Sequence, residues 1–130
     1  MKISELLEAR GLAQQNLFDE LCTDFGMFIS LNMAKIDQDA VDVEGKKQLS
    51  DMQKHLRAPA INGETFAEAI GNKKLTTSPT GRAAILKWIY EALVYIEPRL
   101  KKFLTENGKR KFLARLDAVK QKYKDLVAKQ

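Results

Sequence analysis

The chain has one cysteine, one histidine, three prolines and seven glycines in 130 residues. Each scarcity excludes something. A lone Cys22 cannot build an intramolecular disulfide framework, so a stapled secreted scaffold is ruled out. The longest apolar stretch, Ala83 to Ile96, is interrupted by Lys87 and Glu91 and is too short to span a bilayer. The opening residues Met1-Lys2-Ile3-Ser4-Glu5 lack the apolar core of a signal peptide, which gives the expectation of a cytoplasmic protein with no membrane attachment. With one His and one Cys, no zinc ligand set has the right spacing, and the Glu-x-x-His pair of carboxylate-bridged metal bundles is missing. No glycine-rich phosphate loop occurs. No cofactor is expected.

What the chain does have is 45% hydrophobic and 30% charged residues, the profile of a folded domain. Leu, Ala and Lys favour helix, and strand signals are nearly absent. The fold class expected is all-α: a compact bundle of four to five helices forming a single domain over residues 1–130. A short helix is read over residues 3–10 (Ile3, Leu6, Leu7), stopped at Gly11, and a long one over about Ala13 to Ile36. Phe18, Leu21, Cys22, Phe25, Ile29 and Ile36 share one arc of the long helix. Lys46 to Arg57 forms the next helix, and Asn62 caps a two-turn helix from Gly63 to Ile70. Residues 72–78 read as a polar connection, and Ser78-Pro79 as a helix start. The helix that follows is apolar on most sides, wetted only along Arg82, Lys87 and Glu91, and should be central. Pro98 either kinks it or opens a separate segment, and Asn107-Gly108 reads as a turn. The last helix, Lys109 to about Ala128, carries a seam of Phe112, Leu116, Val119, Tyr123 and Leu126.

Charge is divided along the chain. Residues 1–72 hold seven Lys/Arg against twelve Asp/Glu, and residues 73–130 hold fifteen against five, so an acidic first half (−5) meets a basic second half (+10). Such a split suits either a polyanion-binding end or contact between the two halves.

No catalytic residue is expected. Cys22 lies on an apolar arc, where burial makes a thiol inert, and His55 sits beside Lys54 and Arg57 in a surface setting. Ala67 and Gly71 have the spacing of the alanine and glycine of a helix-turn-helix. The apolar residues that should follow are replaced by Thr77 and Thr80, with Pro79 between them, and the connection is too long. That motif fails.

Two binding readings remain. In the first, a non-enzymatic helical module contacts a polyanion, most plausibly the nucleic-acid backbone, through Lys73, Lys74 and Arg82 at a helix start and Lys109, Arg110, Lys111, Arg115 and Lys122 on the last helix. In the second, the chain is a protein-interaction or assembly subunit that binds no nucleic acid. Met27 and Leu31, four residues apart on an otherwise polar helix side, would then meet a protein partner or a second copy. Alternatively, the N-terminal segment around Leu6 and Leu7 would cover that pair.

Overall fold

The computed structural model describes the backbone of residues 3–128 and the side chains of residues 14–128. Among these residues there is no strand, only two isolated bridges, Ala40 to Leu104 and Ile61 to Glu64. Six α-helices follow one another: α1 (Ile3–Met27), α2 (Val43–Leu56), α3 (Phe66–Gly71), α4 (Lys73–Thr76), α5 (Pro79–Phe103) and α6 (Glu106–Ala128). Four are long. The two short ones, α3 and α4, bridge α2 to α5.

The helix α1 runs straight through Gly11. A glycine inside a helix costs about 1 kcal/mol, which does not break a helix that buries Phe18, Leu21, Cys22 and Phe25 along one face. The long helix ends before Ile36, because Phe28–Asn32 widens into a π turn in which Met33 N–H donates to the Phe28 carbonyl at 2.9 Å. This five-residue step brings Met33 round into the core after Phe28 and Ile29. Ile36 then starts a 3-10 turn, Ile36–Asp39, and is itself fully buried.

The caps explain the remaining boundaries. Asp42 Oδ1 accepts from Gly45 N–H at 2.7 Å and starts α2 three residues earlier than its apolar pattern suggests. Asn62 does not cap α3. It and Gly63 take positive φ (51° and 80°) in a tight turn, and Thr65 caps instead, its hydroxyl and the Glu68 carboxylate forming a reciprocal box. Asn72 caps α4 within the segment read as a loop. Ser78 Oγ accepts from Gly81 N–H at 2.9 Å, with Pro79 at the first helical position, so α5 starts as its sequence signals.

Pro98 does not end α5, which continues to Phe103. Pro98 is exposed, as is Val94, the residue whose carbonyl the proline deprives of an amide partner. Asn107-Gly108 is not a turn either: Thr105 Oγ1 accepts from Gly108 N–H at 3.1 Å, and α6 has begun by Glu106.

The central helix is α5, burying Ile85, Leu86, Ile89, Ala92, Leu93, Ile96 and Leu100 against α2, α3, α4 and α6. Each buried Ile or Leu among them contributes roughly 1.5–3 kcal/mol. Its partner α6 runs antiparallel to it, starting three residues after α5 ends and pairing Lys120 with Glu97 and Tyr123 with Tyr90. The other face of α6 packs on α1. Phe25, Phe66 and Trp88 form an aromatic knot joining α1, α3 and α5, with Phe66 stacked on Trp88 at 4.7 Å.

Candidate functional site

The basic residues form two separate groups. Lys73 and Lys74 stand exposed on α4, against the start of α5, and Arg82 lies in the first turns of α5. Lys109, Arg110 and Lys111 flank the other end, because α6 begins where α5 finishes. At 1.5 Å per residue a 25-residue helix is about 37 Å long, so the groups sit at opposite ends of the bundle.

Half of the eight cations already have side-chain partners. Lys122 bonds to the Asp24 carboxylate of α1, with Glu20 4.0 Å away, and that bond holds its amine above the ordinary lysine range. Lys111 lies 3.6 Å from Asp39, Lys109 3.1 Å from Glu106, and Arg82 donates to Gln15 Oε1 at 2.5 Å. Asp24, Glu20 and Asp39 belong to the acidic half of the chain, so part of the charge split serves contact between halves. Arg110 and Arg115 are exposed and make no ion pair among the described residues.

The apolar pair is differently placed. Met27 ends α1 at 49% exposure, and Leu31, in the π turn, is 65% exposed. Met27, but not Leu31, lines a groove of about 440 Å³ between α1, the C-terminal end of α2, and α3, together with Gly26, Leu56, Phe66, Ala67 and Ile70 among others. Arg57 supplies its one formal charge. Gly26 and Ser30 are small, which keeps the wall low, and Ser30 Oγ donates back to the Gly26 carbonyl at 2.8 Å instead of pointing a polar group outward. The side chains of Leu6 and Leu7 lie outside the described residues. Their backbone belongs to the same unbroken α1, however, with Leu7 about 30 Å along the axis from Met27, so no separate N-terminal helix folds over the pair.

Sequence reasoning missed a second exposed apolar run. The helix expected to be wetted only along Arg82, Lys87 and Glu91 also leaves Tyr90 and Val94 54% and 56% exposed. Their flanking lysines, Lys87 and Lys101, were the available signal.

Chemically the interior is quiet. Cys22 is buried, and burial, helped by nearby Asp19, pushes its thiol up to about 12. His55 is exposed and leans on the Tyr95 ring at 4.4 Å, while Arg99 caps that ring at 3.7 Å. Among the described residues no three His, Cys, Asp or Glu side chains gather as a metal site, and no helix is long and apolar enough to cross a membrane.

Compared with known proteins, the chain matches no family model, no curated protein and no solved structure.

Proposed function

We propose that this protein is a non-enzymatic assembly subunit that joins polypeptide chains, in the first instance copies of itself, through the surface around Met27 and Leu31. The observation that carries the reading is the exposure of both residues one helical turn apart, with Met27 itself lining an apolar groove. Isolated domains seldom leave contiguous apolar surface open to water. The surface also holds a projecting pair and a recess side by side, so two copies related by a twofold axis can each fill the other's groove. The π turn adds weight, since such turns concentrate at functional positions. The compartment in this reading is the cytoplasm, where a free thiol such as Cys22 persists. Nucleic-acid binding is the weaker reading, because the basic residues are spread over both ends of the bundle and along α6, and several are already paired.

Trp88 provides the test. It stacks on Phe66, which lines the groove, so covering the groove alters its surroundings. Across a dilution series the wild-type emission should shift with concentration, and Leu31→Asp should remove the dependence. Emission independent of concentration, together with oligonucleotide binding that steepens as salt falls, would overturn the proposal in favour of the polyanion reading.

A further inference from the structure

The second apolar run carries an inference independent of self-association at Met27 and Leu31. On α5, Lys87, Tyr90, Val94, Pro98 and Lys101 fall within one narrow stripe at helical spacing, all exposed. The stripe is about 21 Å long and has a lysine at each end. Beside it, between α5 and α6, lies a groove of about 400 Å³ whose floor includes Leu93 and Tyr123 and whose far bank carries Lys120 and Lys124. A neighbouring hollow of about 360 Å³ shares Val94 and Glu97 with it and extends it to Pro98 and Lys101.

Charge decides what fits. Glu97, the carboxylate within the groove, is engaged by Lys120 at 2.6 Å and by Lys101 at 3.0 Å. Lys87 and Lys124 have no ion pair among the described residues, and Glu91 at the outer edge is the one carboxylate of the frame left without one. The result is an apolar trough framed by four lysines. A second copy of α5 laid antiparallel across Val94 would set Lys87 against Lys101 and Glu91 against Glu97, like against like, so the trough does not suit itself. A bare polyanion would leave Tyr90 and Val94 uncovered.

We infer that the α5–α6 trough docks an amphipathic helical segment of a partner protein, one whose apolar stripe is flanked by acidic residues. Its apolar side chains cover Tyr90 and Val94, and its carboxylates meet Lys87 and Lys124, the arrangement by which helices are held in grooves. Steering by the lysine frame makes the association salt-sensitive, and burial of Val94 makes it specific.

The test uses a fluorescent synthetic helix with leucines at positions i, i+4 and i+7 and flanking glutamates, alongside a version with flanking lysines. Saturable anisotropy binding of the acidic peptide is expected, weakened about tenfold or more by Val94→Asp and by Lys87→Glu with Lys124→Glu. Leu31→Asp should leave it unchanged. All these positions are exposed, and circular dichroism of each variant checks that the bundle is intact. No saturable binding, equal binding of the lysine-flanked peptide, or indifference to Val94→Asp would overturn the inference. So would tighter binding of a duplex oligonucleotide or of anionic vesicles that Val94→Asp leaves untouched.

Discussion

Replacing Gly81 by alanine should unfold the protein more easily than its small size suggests. The backbone of α4 crosses the first turn of α5 here, and a Cβ on Gly81 would run into the Leu75 carbonyl, 2.5 Å from its Cα and 2.7 Å from its carbonyl carbon. The obstacle is backbone, so no rotamer change relieves it. Overpacking of this kind costs about 1–3 kcal/mol, and a shift of the helix start would also weaken the Ser78 cap by about 1 kcal/mol. Alanine's lower unfolded-state entropy returns about 0.4–1 kcal/mol. The net loss is about 1–3.6 kcal/mol, which at roughly 4 °C per kcal/mol lowers Tm by about 4–14 °C. Gly71 is the matched control: nothing lies within 4 Å of a Cβ there, and its φ is not positive, so Gly71→Ala should raise Tm slightly. Thermal and urea unfolding followed by far-ultraviolet circular dichroism measures both. A Gly81→Ala variant as stable as wild type would refute the close crossing of α4 over α5, and with it the anchoring of Lys73 and Lys74.

Three other outcomes are expected. Hydrogen bonds from Lys120 and Lys101 lower the Glu97 pKa below 4.5, so its contribution is present above that value and is lost as pH falls through the lowered one. Glu97→Gln should therefore cost under about 1 kcal/mol at neutral pH and nothing in strong acid; urea titrations that fail to converge in acid would contradict this. Cys22 should resist thiol reagents at neutral pH until the chain unfolds, whereas rapid native labelling would contradict its burial. Pro98→Ala restores an amide donor inside α5 and should stabilise the protein by up to about 3 kcal/mol, read as a rise in Tm; a fall would mean that the proline ring packs usefully.

The architecture was legible because it rests on helical periodicity. The arcs of α1 and α6 and the Ser78-Pro79 start are local patterns, and the buried residues follow them. The misread boundaries trace to single side chains whose role depends on context. Thr105 rather than Asn107-Gly108 sets the start of α6, and Thr65 rather than Asn62 caps α3. Tyr90 and Val94 look like core residues on a wheel, and only the position of α6 along one side of α5 leaves them open. The ion pairs Lys122–Asp24 and Lys111–Asp39 join residues far apart in sequence, so the charge split could be counted in advance but its use could not.

Sedimentation equilibrium of the wild-type chain beside Leu31→Asp bears most directly on the role of the exposed pair. The wild type should give a mass above that of one chain, rising with concentration and little affected by salt, while the variant sediments as a folded monomer. A wild-type chain that stays monomeric throughout, or an assembly that Leu31→Asp leaves whole, would contradict it.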